Sequence, residues 1–258
     1  MTQAEETRKR GGKPEMVTAT SDIRFDVPLY TQTHAAHYLD MPPSTFRSWA
    51  QGYHNRFRNR PPVHGAPLIT YLGEPHSPQP SIPFIGLAEG MFLSALRRAD
   101  VPMQQIRPAL ELVRERLGVQ YALASKRLYA VGAQLLFEVS EGQDLDRTER
   151  REARKLIVLK NGQYVFREVV EKYMRNIHYD DGDGYAARLH LPGYEVAEVM
   201  AEPQVNFGQP YFTATGTPLY AVAGRLRAGD TVEETAEDFD LPVDQVAELS
   251  ERVERGVA

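Results

Sequence analysis

Five hydrogen-bonding side chains crowd into one short stretch: Ser44, Thr45, Arg47, Ser48 and Gln51. Interleaved with them are Phe46 and Trp49, three residues apart, which a helix turns to the opposite side. Hydroxyls, a guanidinium and a carboxamide are the groups that hold phosphate oxygens and read base edges in a duplex groove. An ordinary helical pair packed in a core is the plainer alternative. It gives no packing reason for an exposed Ser-Thr-x-Arg face beside buried aromatics, so the stretch is read as a nucleic-acid-contacting helix.

The flanking residues supply the elements that would position this face. Thr31 or Thr33 can cap a first helix, on which Ala35, Ala36 and Leu39 fall on an inner side. Asp40-Met41-Pro42 makes a turn, Pro43 suits the first turn of a second helix, and Ser44-Thr45 offers cap hydroxyls. Helix, tight turn and helix are the layout of a DNA-reading helix-turn-helix. Tyr30-Thr31, Ala35-Ala36, Leu39, Ser44-Thr45, Arg47 and Trp49 match, in order and spacing, the first helix-turn-helix of the MerR regulators. The segment resembles that family, and the resemblance implies DNA binding.

Residues 52–83 are rich in Pro, Gly, Arg and Asn. Pro67-Leu-Ile-Thr-Tyr-Leu72 is a strand candidate, and a strand on a basic loop behind a recognition helix reads as a wing. Tyr53, Arg56, Phe57, Arg58 and Arg60 interleave rings and cations, as suits a loop along a phosphate backbone, against the alternative of a solvated loop. The expected DNA-binding set is therefore Ser44, Thr45, Arg47, Ser48, Gln51, Arg56, Arg58 and Arg60.

The charge distribution agrees. A net charge of -5 argues against coating nucleic acid through bulk charge. After Asp40, however, no acidic residue occurs before Glu74, and Arg47, Arg56, Arg58 and Arg60 lie in that window. From Gly193 onward thirteen acidic residues face four arginines. One region can approach phosphates, and another repels them.

Other chemistry is poorly supported. With 0 cysteines there are no disulfides, thiolate zinc sites or cysteine nucleophiles, which fits a reducing cytoplasm. His34 and His37 form a candidate zinc pair with no further ligand nearby, and ordinary structural histidines are the better reading. The acidic loop Asp180-Asp-Gly-Asp-Gly184 lacks the ligand spacing of a calcium loop and reads as a turn. No His/Asp/Ser constellation or Gly-rich phosphate loop stands out. No enzyme activity, metal or cofactor is expected. No apolar run reaches the ~18 residues of a membrane span, so a cytoplasmic protein without a membrane partner is expected. Residues 1–21 read as a disordered tail, with Arg8-Lys9-Arg10 and Lys13 either solvated or touching DNA.

Further elements follow from periodicity. Helices are predicted over 86–98 and 102–117, the latter ended by Gly118. A hairpin is predicted within 126–139 and a charged connector, linker or exposed helix, over 140–155. Residues 156–166 give a hairpin around Asn161-Gly162, followed by a helix through Val169, Val170 and Tyr173, and residues 177–191 give another hairpin. Helix 219–228 ends at Gly229-Asp230. Thr231-Val-Glu-Glu234 is a capping box for a helix to Phe239, and a last helix covers 243–255. The inner face of this helical unit is Leu226, Val232, Ala236, Phe239, Leu241, Val246, Leu249 and Val253. Its outer face is acidic (Glu233, Glu234, Glu237, Asp238, Asp244, Glu248, Glu251), which reads as a protein-binding or dimerising surface or as a solvated face.

The expected fold class is α+β, mainly α: an N-terminal winged helix-turn-helix with supporting helices and hairpins, and a C-terminal small helical, helix-turn-helix-like domain. The expected domains are a tail (1–21), a DNA-binding domain with connector (22–155), and hairpins plus helical domain (156–258).

Gly208-Gln-Pro210, Gly216-Thr-Pro218, Arg225-Leu-Arg-Ala-Gly229-Asp-Thr231 and Glu233-Glu-Thr-Ala-Glu-Asp-Phe239 resemble a small antitoxin domain found with PIN-like ribonuclease toxins. The order of modules resembles the long VapB-type antitoxins. The usual Gly-Thr-Arg-Ile-Pro is reduced here to Gly216-Thr217-Pro218, so any contact of that Arg is absent. The resemblance implies an antitoxin that occludes a PIN-like ribonuclease toxin and represses its own operon on double-stranded operator DNA, as a homodimer or a toxin–antitoxin hetero-oligomer. Tyr211, Phe212, Leu219 and Tyr220 are the expected partner anchors. The alternative is a stand-alone MerR-like regulator with a C-terminal ligand- or protein-binding module, and a neighbouring toxin gene separates the two.

Overall fold

The computed structural model describes residues 21–56, 61–74, 77–99, 102–128, 159–160, 163–164 and 175–256. The architecture is α+β, with a helix-turn-helix at its N-terminal end. After a short helix α1 (Ile23–Asp26), Thr31 caps α2 (Gln32–Tyr38) by accepting the His34 N–H at 3.1 Å. The end of α2 is closed by Met41 N–H to Ala36 O and Asp40 N–H to His37 O, with Asp40 left-handed at φ 50. That closure makes the turn into α3 (Pro43–Gln51). Ala35, Ala36, Leu39 and Phe46 are fully buried and Trp49 nearly so, as their spacing predicts.

The expected cap of α3 is corrected. Pro42 stands at the N-cap and no side chain bonds there, because Pro42 and Pro43 place Ser44 and Thr45 already inside the helix. The expected strand over 67–72 is also corrected. Leu68 and Ile69 are buried, but their N–H groups bond to the Trp49 carbonyl at 2.7 and 3.3 Å rather than to a strand. The strands lie upstream, in a hairpin of β1 (Tyr53–Asn55) and β2 (Val63–Gly65) with His54 opposite His64. Gly52 makes it possible: its φ is +73, and a Cβ there would come within 2.4 Å of Gly65 O.

Helix α4 (Phe84–Arg98) is buried from Phe84 to Leu96 on every side. It packs against α1, the turn at 122–124 and strand β6 (Ala186–His190). At Gly90 an added Cβ would lie 2.8 Å from the Phe46 ring and 3.1 Å from Leu39, so α4 brings its backbone up to the helix-turn-helix at that point. Helix α5 (Met103–Leu117) ends at Gly118 with φ 60.

The described residues of the hairpin expected at 156–166 pair as strands, and the hairpin expected at 177–191 is present. Strands β3 (Leu159–Lys160) and β4 (Gln163–Tyr164) pair antiparallel, as do β5 (Ile177–Tyr179) and β6. The latter pair extends through β7 (Val199–Ala201) and β8 (Tyr211–Phe212) into a four-stranded antiparallel sheet. Helices α6 (Leu219–Ala228), α7 (Val232–Phe239) and α8 (Val243–Glu254) follow. The Thr231–Glu234 capping box is formed in both directions. Arg225 pairs with Asp230 and Asp238, each at 2.5 Å, which is the structural reason for the Arg-x-x-x-Gly-Asp spacing. The predicted hairpin within 126–139 is corrected at its start, where 126–128 are helical, and its remainder lies outside the described residues, as do the tail, the connector, the helix near Val169, Val170 and Tyr173 and the 155/156 boundary.

One buried cluster runs from Tyr30 to Leu249. Three polar ties cross between its ends. The Tyr30 hydroxyl donates to Gly208 O at 2.7 Å. Arg252, 3% exposed, donates to Gly193 O and to His37 O, each at 2.8 Å, with Tyr194 under its guanidinium. Arg24 pairs with Asp183 at 2.5 Å. Tyr30 is the most constrained of these residues, since its backbone also exchanges both hydrogen bonds with Ile82. Tyr30→Phe leaves the Gly208 carbonyl without its buried donor and is expected to cost about 1–3 kcal/mol, read by chemical denaturation of the parent and the variant.

Candidate nucleic-acid interface

Packing sorts the side chains of α3 into three classes. Phe46, Trp49 and Ala50 go inward, Ser44 and Arg47 are exposed, and Thr45, Ser48 and Gln51 are half-buried. Arg47 has no hydrogen-bond or ion-pair partner among the described residues. The Ser48 hydroxyl sits within bonding range of Ser44 O (2.9 Å) and Thr45 O (3.0 Å), so its proton is engaged within the helix while its lone pairs remain. Gln51 Nε2 donates to the Tyr71 hydroxyl at 3.3 Å, which orients the carboxamide. Arg56 is exposed beside the hairpin, its Nε donating to His54 Nε2 at 3.2 Å. Arg58 and Arg60 lie outside the described residues.

Arg47 and Gln51 line a polar cleft with Thr31, Gln32 and Thr33 at the start of α2 and with Ser77, Pro78 and Gln79. Thr33 and the 77–79 segment were not expected there. Thr33 offered a signal, an exposed threonine beside the cap, but nothing in the sequence announces the return of 77–79 to this face. Alternating apolar and polar residues behind it do show where the support lies. The Trp49 carbonyl holds residues 68–69, the buried carboxylate of Glu89 accepts the Thr70 N–H at 2.5 Å, and Arg114 donates to Leu68 O. Burial pushes the Glu89 carboxyl above its ordinary 4.5, with the Thr70 N–H opposing.

The other candidate residues divide. His34 is exposed, and His37 is half-buried, with its carbonyl taken by Arg252 and burial lowering its imidazole affinity for protons. Asp180 accepts the Gly182 N–H at 2.7 Å and Asp183 holds Arg24, so the acidic loop is a turn with engaged carboxylates. No group of three or more His, Cys, Asp or Glu among the described residues is placed to hold a metal ion. No helix of the described residues is long and apolar enough to cross a membrane.

The partner anchors need correction. Phe212 (0% exposed) and Leu219 (4%) are core residues, because β8 and the start of α6 turn them beneath the sheet. Tyr211 is half-buried, and Tyr220 is exposed. The acidic face is also thinner than its sequence. Glu248 accepts the N–H groups of Glu195, Val196 and Ala197, Glu234 closes the capping box, and Asp238 is held by Arg225.

Residues 28–110 match a family described as "putative DNA-binding HTH domain", and residues 199–251 match a protein family of unknown function, DUF433. Over 232 residues the chain is 40% identical to "putative antitoxin VapB45" of Mycobacterium tuberculosis, covering 90% of this chain and 96% of that relative. The chain belongs to the VapB45 antitoxin family. A more distant relative, the uncharacterized protein Rv2308 of the same organism, is 22% identical over 86% of this chain and 88% of its own length. The crystal structure of Rv2018 from Mycobacterium tuberculosis superposes with a TM-score of 0.68 at 38% identity, covering 88% of this chain and 99% of that one. In this VapB45-family chain the helix-turn-helix match spans α2 through most of α5, and the DUF433 match spans β7 through most of α8.

Two measurements check the support of this face. Trp49→Ala is expected to destabilise the protein by about 3–5 kcal/mol, read by thermal melting. Glu89 loses its proton at higher pH in the folded than in the unfolded chain. Its contribution to stability is therefore fully present below the ordinary value of 4.5 and declines as pH rises through the folded value. Melts across that acid range should show the parent losing stability relative to Glu89→Gln as pH rises.

Proposed function

We propose that this chain is the antitoxin of a type II toxin–antitoxin pair, acting in the cytoplasm. In this reading the MerR-like helix-turn-helix represses its own operator, and the C-terminal half occludes a PIN-like ribonuclease toxin. The observation that carries the DNA half is the placement of Arg47: exposed, and opening with Gln51 and Thr33 on one polar cleft. The N-terminus of α3 carries no side-chain cap, and although the Thr45 and Phe46 N–H groups bond to Pro42 O, the Ser44 N–H is left for a phosphate. The β1–β2 hairpin directly behind α3 serves as the wing, with His54, His64 and Arg56 exposed on it. Half-site geometry favours a two-fold assembly. Family membership supports the antitoxin half, and such an inhibitor works by stoichiometric contact without catalytic residues.

Arg47→Ala should cost about 1–3 kcal/mol of operator binding and relax specificity at one base pair, whereas Arg56→Ala weakens binding evenly across sequences. Fluorescence anisotropy on the upstream promoter and on a scrambled duplex measures both. Parent-like affinity of both variants would move the reading face off α3.

A further inference from the structure

Most apolar side chains of the C-terminal half are inside, but Phe207 is 82% exposed, the highest value among the large hydrophobic residues described. It is held out on an unfavourable backbone. Asn206 (φ 49), Phe207 (φ 53) and Gly208 (φ 78) are three successive left-handed residues, and only the glycine adopts that region without a steric penalty. The surroundings enforce the conformation. Gly208 N–H bonds to Val205 O at 2.9 Å, Gln209 N–H to Asn206 O at 3.1 Å, and the Asn206 carboxamide donates to Gly216 O at 3.2 Å. From below, the buried Tyr30 hydroxyl grips Gly208 O at 2.7 Å. A phenylalanine that contributed only to folding would gain from turning inward or from being replaced by glycine. Strain retained so that a large ring projects into water is the arrangement of a binding feature.

We infer that Phe207, with the 63% exposed Tyr220 in the first turn of α6, is the aromatic anchor through which this chain engages a second, different protein. That partner presents an apolar pocket with a basic rim. The rim follows from charge. From Gly193 onward thirteen acidic residues face four arginines, and the excess of acids persists after Asp230 and Asp238 are set against Arg225, Glu202 against Arg188 and Glu248 against its three amides. Two rigid aromatic side chains in an anionic field give affinity through the rings and association rate through the charge. The inference rests on the antitoxin reading and names the anchor that Phe212 and Leu219, being buried, do not supply.

The full-length chain, Phe207→Ala, Phe207→Gly and Tyr220→Ala are titrated against the product of the adjacent open reading frame by interferometry. Melting, operator affinity and molar mass in solution are measured in parallel. Phe207→Ala should weaken the complex at least about 30-fold, with operator affinity and mass as in the parent. Phe207→Gly should lose binding equally while melting at or above the parent's temperature, by up to about 2–4 °C, because it relieves the left-handed strain. Binding of Phe207→Ala within about threefold of the parent overturns the inference and leaves the antitoxin reading intact. A fall in mass on losing the ring would assign it to a second copy of the chain and also overturn it, as would a lowered melt for Phe207→Gly. A parent that does not bind the adjacent product removes the antitoxin reading and this inference together.

Discussion

The whole fold is organised by one helix that has no solvent face. From Phe84 to Leu96 helix α4 is buried on every side, so it must be wrapped, and each neighbouring element is a piece of the wrapping. Leu39 and Phe46 close on it where Gly90 thins its surface, and α1, the turn at 122–124 and strand β6 cover the rest. Helix α3, the candidate reading helix, is therefore placed by what lies behind it. The same burial explains why a single carboxylate in this helix, that of Glu89, ties down the segment that receives the Trp49 carbonyl.

Local patterns in the sequence were legible wherever a single element satisfied its own backbone. The Thr31 cap, the turn at Asp40, the Gly118 and Gly229 helix ends, the Thr231–Glu234 box and the hairpin flanking Asn161-Gly162 depend on neighbours a few residues away. Expectations weakened where the partner was distant. Residues 67–72 read as a strand candidate, yet the N–H groups of Leu68, Ile69 and Thr70 go to a helix carbonyl and a buried carboxylate, partners that no local pattern shows. Leu219 and Phe212 were expected as surface anchors because they are apolar residues in an acidic half, and the sheet that covers them includes β7, which periodicity did not reveal.

The candidate site was legible in its residue types more than in its readiness. Ser44, Arg47 and Gln51 do share one face, as helical spacing requires. Which of them are available was decided by contacts invisible in the sequence: Ser48 turned back on its own helix and Gln51 tethered to Tyr71. Charge counts show the same limit. Seven acids on the C-terminal helices suggested a uniformly anionic face, but Glu248 is consumed by three consecutive amides and Asp238 by Arg225. What a carboxylate does depends on whether donors are within reach, and composition does not record that.

Arg252 carries a consequence for the chain's life span. It lies in the last turn of α8, 215 positions beyond His37, yet its guanidinium closes the carbonyl of His37 at the end of α2. Cleavage within α8 ahead of that arginine removes the charged donor from the helix-turn-helix corner. Helix α8 thus acts as a fuse for the helix-turn-helix: damage to it is registered at the turn that leads into α3.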